Sequence, residues 1–450
     1  MSTSFKFESE EKPEIALPNT PDGAITPPTK IPSSAEKAAL GGMLQPFKVR
    51  NFSLLFGGQT ISTMGDALYT VALPWLILNN GGSAQDLGIV LTAYGIPRVG
   101  CVLLGGWLSD RLRPRRLMLI ADSVRALLVG ILAALALRGH PSLWELCAVA
   151  VLLGAFQGAF LPASMAILPD ILKNEDLQAG NALNFASTQG STLVGSALAG
   201  IVVAALASGT AFALDALTFV VSALSLALMR MAKAAERERA ESTGGDDPSA
   251  TTPEQAPPIT FGRFLRTSRL IQISLLVSVA ANFCFGGLME VALPTLVHGP
   301  MNGGANGYGV ILAAFGAGAL VGGLIAGTLG KLKRKGLVAM VAALVMAISI
   351  ALIPYGGVFT AAAWMLIAGV SNSITNVILM TVIQVIIPRH LMGRIMGILL
   401  FASFGTYPIS VALGGVLTNR LGPVILFPFS GLILGLTILF GISQRELREL

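Results

Sequence analysis

After residue 45 the chain is a succession of apolar runs broken by short polar loops. A hydrocarbon core about 30 Å thick takes roughly 20 apolar residues to cross as a helix, so the pattern predicts about twelve membrane-spanning helices. In the first half the runs lie near 51–78, 87–109, 116–137, 143–164, 181–206 and 210–231. In the second they lie near 270–298, 307–330, 336–354, 360–386, 393–418 and 422–442. Proline and glycine inside these runs are compatible with spanning helices, because neighbouring helices re-satisfy the freed backbone groups. Small residues such as Gly316-Ala317-Gly318-Ala319 allow helices to approach closely.

The two halves are versions of one another. Val71-Ala72-Leu73-Pro74 returns as Val291-Ala292-Leu293-Pro294, and Leu91-Thr92-Ala93-Tyr94-Gly95 aligns with Leu312-Ala313-Ala314-Phe315-Gly316. Gly106 matches Gly327, and the loop Asn80-Gly81-Gly82 matches Asn302-Gly303-Gly304. A duplication of this length in an apolar chain is the pattern of a secondary transporter, with the substrate site between the repeats.

Composition bears on the surroundings. Charged residues make up 12% of the chain and apolar residues 53%, against about 25% charged in a soluble domain. The net charge of +6 would suggest nucleic acid in a soluble protein. Here the basic residues sit in short loops, so the expected partner is lipid headgroups and not nucleic acid. Arg111, Arg113, Arg115 and Arg116 follow the second run, and Lys331, Lys333, Arg334 and Lys335 follow the eighth. Loops 79–86, 299–306 and 355–360 carry no Lys or Arg. The positive-inside rule puts the basic loops, and with an even number of spans both termini, in the cytoplasm of a plasma or inner membrane. The domain expectation is a disordered N-terminal segment (1–45), a six-helix bundle (46–232), a cytoplasmic linker (233–268), a second bundle (269–443) and a short tail (444–450). Residues 1–44 carry no charged-then-apolar pattern of the signal-peptide kind. Cys101, Cys147 and Cys284 lie in apolar runs without metal or disulfide spacing.

With these residues on the page, the chain resembles the major facilitator superfamily. The loop after the second span, Gly106-Trp107-Leu108-Ser109-Asp110-Arg111 followed by Arg113, Pro114, Arg115 and Arg116, is similar to that family's signature loop. Gln59-Thr60-Ile61-Ser62-Thr63-Met64-Gly65-Asp66, Leu168-Pro169-Asp170, Asn181-Ala182-Leu183 and Gly393-Arg394 resemble the branch of drug and siderophore exporters. The resemblance implies an all-α membrane fold of two six-helix, pseudo-symmetric bundles. It also implies export of a small amphipathic molecule by alternating access as a proton antiporter, without a cofactor, and we expect a monomer. Uptake, facilitated diffusion, or a lipid-moving or sensory protein of the same fold are the alternatives. Two departures stand out. Gly154 occupies the position, three residues before Gln157-Gly158, where many proton-coupled exporters carry Arg, and the fifth span has Gly190, Gly195 and Gly200 without the antiporter proline.

Ionisable groups in hydrocarbon are costly and mark function. Asp66 lies about 13 residues inside the outer end of the first span, roughly 20 Å at 1.5 Å per residue. Arg98 lies about 12 residues, or roughly 18 Å, inside the second. Matched depth on consecutive helices predicts an Asp66–Arg98 pair, since pairing offsets burial. Glu290, which aligns with Thr70, has no basic residue nearby in sequence and is expected to be the unpaired proton carrier. Polar and aromatic residues near mid-span, Gln59, Tyr69, Gln157, Asn282, Phe283, Asn376 and Gln384, are candidates for a largely apolar cavity wall suited to an amphipathic ligand. The family resemblance makes Gly106, Asp110, Arg111 and Arg115 a conformational latch. Asp122 and Arg125, three apart on one helix face, are a structural pair near the cytoplasmic side or a second part of that latch. Asp215 is expected to be solvated at the outer mouth of the sixth span.

Enzymatic readings find little support. Gly330-Lys331-Leu332 fails the phosphate-cradling pattern of an ATP-driven pump. His140, His298 and His390 are far apart at loop ends, so no metal site is expected.

Overall fold

The computed structural model describes residues 44–173, 175–230, 269–328, 335–386, 401 and 404–444, and side chains at 103, 105–110, 269–271, 274 and 382–386 lie outside that description. The expected N-terminal segment, linker and tail fall almost entirely outside it, as do Gly393-Arg394 and His390. Among the described residues the long helices are α1 (Arg50–Asn79), α2 (Ala84–Leu112), α3 (Pro114–Leu137) and α4 (Leu143–Ala166). They continue as α5 (177–206) and α6 (208–228), one helical run divided at Ala207, whose φ of 63° and ψ of 168° break the helix. The second half has α7 (269–298), α8 (Gly304–Thr328), α9 (Lys335–Leu352), α10 (Val358–Ile386), α11 (Tyr407–Leu421) and α12 (Pro423–Ser443).

Local chemistry accounts for the tight connections. Ser83 and Asp86 at α2, and Ser142 and Glu145 at α4, form reciprocal caps in which each side chain bonds the other's backbone N–H. Such boxes satisfy donors that a helix start leaves unpaired. Pro114 and Pro423 stand in the first turns of α3 and α12, where the missing N–H costs nothing. A single residue, Arg113 or Gly422, turns the chain ahead of each, with φ of 66° and 80°.

The faces these helices leave outward are apolar. Trp144 (80% exposed), Leu324 (77%) and Phe359 (86%) would form an aggregation-prone surface in water. In a bilayer the same faces are solvated by lipid. Nine stretches among the described residues are long and apolar enough to cross it.

Packing follows the internal repeat. In the first half α1 packs on α5 and α6, α2 on α4, and α3 on α4 and α6; in the second α8 packs on α10, α9 on α10 and α12, and α7 on α11 and α12. The halves join along α5–α8 and α2–α11. Both seams are made by glycine. A Cβ added at Gly309 would lie 2.8 Å from Cα of Gly200, and one at Gly88 would lie 2.9 Å from Cα of Gly415. Only a residue without a side chain permits that separation, which is the membrane route to tight helix association.

Candidate functional site

The first buried charge cluster lies inside the first bundle, and it is not the one that depth alone predicts. Asp66 pairs with Arg125 of α3, not with Arg98: Nη2 of Arg125 donates to Oδ1 of Asp66 at 2.8 Å. Depth along the axis leaves the azimuth of each helix open, and packing turns α3, not α2, toward Asp66. Arg125 also reaches Asp122 Oδ1 at 3.4 Å, the Ser222 hydroxyl donates to Asp122 Oδ2 at 2.6 Å, and Gln59 donates to Ser222 at 3.1 Å. The guanidinium stacks 3.9 Å from the Phe219 ring centroid. Asp122 and Arg125 are both buried and meet as the expected i, i+3 pair, which this interior network extends to Asp66 and Ser222. The Asp66 side chain is 43% exposed although it stands mid-helix, so it is not sealed in as Asp122 is.

Asp215 is a second correction. It is fully buried (0% exposed) and not solvated at a mouth. Its Oδ1 accepts a long 3.4 Å contact from Thr218, and its Oδ2 has no partner among the described residues. Gly65 is what allows α6 so close: a Cβ there would clash with Asp215 and Thr218.

The second cluster spans the two halves. Glu290 sits on a turn of α7 widened to i→i+5 bonding, Leu288–Ala292. Pro294 follows it and has no N–H to give to the carbonyl of Glu290, and widened turns of this kind are frequent at functional sites. Glu290 is not unpartnered, since the Tyr407 hydroxyl of α11 donates to its Oε2. Arg98 stands beside them, its guanidinium 5.0 Å from the Phe404 ring, 5.7 Å from Tyr94 and 6.0 Å from Tyr407. Its Nε is buried without a hydrogen-bond partner among the described residues, and its field reaches both Glu290 and Asp66. Tyr69 lies between the clusters, within electrostatic range of Asp66, Tyr94, Asp215 and Glu290, with its ring against Phe212.

The other candidates divide. Gln157 buries an unpartnered Oε1 and is followed directly by Gly158, which packs on the Arg98 carbonyl. Asn282 donates to Ser278 within its own helix, and Asn376 is exposed and donates to Asn372. Phe283 faces a small apolar pocket with Ser410, Leu413 and Phe429 between α7, α11 and α12, away from the charged groups. The side chains of Gln384 and Asp110 lie outside the description, and Gly106 has none to place. Arg115 donates to the carbonyls of Leu226 and Ala227, both at 2.7 Å. It thereby caps the C-terminal end of α6, where unpaired carbonyls concentrate negative charge. Arg111 makes a contact as well. Tyr407, Phe404 and Asp215 are the functional candidates that sequence reasoning missed. An unpaired aspartate in the sixth run was the one available signal.

At the end away from the basic loops the halves meet through aromatic rings. Trp75 of α1 stacks on Tyr308 of α8 at 5.5 Å and 18°, His298 packs edge-on to Trp75 at 5.8 Å, and His298 Nε2 lies 2.9 Å from Asn79 Oδ1. Trp75→Ala removes a buried ring worth about 3–5 kcal/mol of packing. We expect a cysteine placed at Thr70 to react with a membrane-impermeant thiol reagent from that end roughly tenfold faster in this variant, a change of about 1.4 kcal/mol in the gate's equilibrium. An unchanged labelling rate would show that these rings do not close the path.

Comparison with known proteins agrees with this arrangement. The family model of the Major Facilitator Superfamily matches residues 55–410. The multidrug efflux pump Tap of Mycolicibacterium fortuitum is 25% identical over 409 residues, covering 88% of this chain and 96% of Tap. The enterobactin exporter EntS of Salmonella typhimurium is 25% identical over 409 residues, covering 88% of this chain and 94% of EntS. Among solved structures, a POT family transporter in complex with a thioalcohol-conjugated peptide superposes with a TM-score of 0.66 at 15% identity, covering 88% of this chain and 96% of that one. Two pseudo-symmetric six-helix halves, charged groups between them and a family match across most of the chain lead to one conclusion: the protein is a multi-pass membrane transporter of small molecules that belongs to the Major Facilitator Superfamily.

Proposed function

We propose that this transporter exports a small amphipathic molecule in exchange for protons, with Glu290 and Asp66 as the exchanging carboxyls. The observation that carries the reading is the approach of Arg98 on α2, across the two halves, to the rings of Phe404 and Tyr407, the second of which donates its hydroxyl to Glu290 on α7. Protonating Glu290 removes its attraction for Arg98 and the acceptor charge that holds the Tyr407 hydroxyl. A contact joining the two halves thus depends on one proton, which is the requirement for a group that biases alternating access. Asp66, accessible and paired through one oxygen only, faces the same interior from the other half. The aromatic surround of Tyr69, Tyr94, Phe404 and Tyr407 suits the apolar body of the ligand.

Similarity to the multidrug pump Tap and the exporter EntS supports the outward direction and a drug-like or siderophore-like cargo. In this reading the protein works as a monomer in the plasma or inner membrane, with cytoplasmic termini and two bundles (46–232 and 269–443) joined by a cytoplasmic linker. It is not an enzyme and binds no nucleic acid. The aromatic end is extracytoplasmic, so the interior is loaded from the cytoplasm.

The test is Glu290→Gln, which mimics the protonated group. Gradient-driven export should fall at least tenfold, about 1.4 kcal/mol in the driven step, while ligand binding persists. Collapsing the proton gradient should stop wild-type efflux. Normal uphill transport by Glu290→Gln, or efflux that survives an uncoupler, makes the protein a facilitated-diffusion carrier instead.

A further inference from the structure

The first bundle holds more carboxyl groups than it can neutralise. Asp66, Asp122 and Asp215 face Arg125, and Arg98 of α2 reaches only Asp66 among them, at longer range and without a bond to it. Arg125 spends both terminal nitrogens on Asp66 and Asp122, and Asp122 has a further donor in Ser222. Asp215 has neither a cation of its own nor a donor for Oδ2, and it is completely buried. The groups that face it are Asp66 from α1, Arg125 from α3, Thr218 on its own helix and the Tyr69 hydroxyl from α1. An ionised carboxylate so placed would be an uncompensated charge beside another negative charge. Such a group neutralises instead of staying charged, and two close carboxylates divide one proton between them.

We propose that Asp215 is a buried proton store that exchanges its proton with Asp66. While Arg125 is bonded to Asp66, the proton sits on Asp215. When Arg125 turns to Asp215, the O–H bond at Asp215 breaks and one forms at Asp66, and the net charge of the cluster is unchanged. Asp66 is 43% exposed and Asp215 is buried, so the exchange brings a sequestered proton to an accessible carboxyl. The Gly65 contact presses the Asp215 side of α6 against α1 one residue from Asp66. This goes beyond the Glu290 exchange, because it places a second proton site in the other half of the protein and needs neither Glu290 nor Tyr407.

Infrared spectra of the full chain in lipid bilayers test it, since a protonated carboxyl has a C=O stretch that a carboxylate lacks. The neutral-pH spectrum of the wild type and of Glu290→Gln should share one protonated-carboxyl band that Asp215→Asn loses. Asp66→Asn should lose it too, because Arg125, released from Asp66, then compensates an ionised Asp215. Retention of every wild-type carboxyl band in folded Asp215→Asn overturns the store, and a band unchanged in Asp66→Asn overturns its exchange with Asp66. If Asp215→Asn does not fold, Asp66→Asn decides alone. The spectra are read without transport, so loss of the band alongside uncoupler-resistant efflux would sink the antiport reading and leave the store standing. Unchanged bands with uncoupler-sensitive efflux would do the opposite.

Discussion

Arg125→Met is expected to yield almost no folded protein. The substitution keeps an apolar stem against Phe219 and Phe160 but removes the one guanidinium bonded to Asp66 and Asp122. Breaking a buried pair by removing one partner costs about 3–5 kcal/mol, because the remaining charge is left uncompensated. That is a large part of the roughly 5–15 kcal/mol that holds a typical fold. Removing the acids as well, in the triple variant with Asp66→Asn and Asp122→Asn, should recover most of the folded yield without recovering transport. Non-additivity of this kind identifies groups that act together. Monodisperse yield after detergent extraction measures it. Arg98→Met, beside rings and bonded through Nε to nothing described, should keep its yield and lose transport. If Arg125→Met extracts as well as wild type, the interior network does not hold the bundle together.

Gly154→Arg tests whether this position can hold the arginine that the family resemblance associates with many proton-coupled exporters. We expect it to abolish folding and not to restore any activity. Gly154 packs directly on the carbonyl of Tyr94 where α4 crosses α2, and a single added carbon already clashes there. Four residues on, Gly158 packs in the same way on the carbonyl of Arg98. Overpacking by a methyl alone costs typically about 1–3 kcal/mol, so Gly154→Ala should show a measurable loss of thermal stability and Gly154→Arg no folded protein. Wild-type stability in Gly154→Ala would mean that the crossing has room for a side chain. The position is a helix crossing, and among the described residues interior cations stand on α2 and α3 as Arg98 and Arg125.

These two residues also mark the limit of what sequence carries. The bilayer requires long uninterrupted apolar helices, so spans could be placed within a few residues. The run expected at 143–164 is α4 at Leu143–Ala166, and that expected at 422–442 is α12 at Pro423–Ser443. The repeat announced the two-half architecture, because homologous segments in one environment fold alike. Ionisable residues were legible as a set too, since each is conspicuous in an apolar run. Their partners were not legible. Counting residues from a helix end gives depth along the axis, and Asp66 and Arg98 do share a depth. The contact with Arg125 depends on rotation about that axis, which packing around Gly65 and Gly154 decides. Glu290 and Tyr407 lie in different spans of the second half, so only the folding of α11 against α7 brings them together. Asp215, read from sequence as a solvated mouth residue, became a buried acid because α6 packs on α1 at Gly65. The linear pattern thus determined what each segment does with respect to lipid, a property of one helix and its solvent. Which charges meet was decided by the mutual rotation and close approach of several helices, a property of no segment alone.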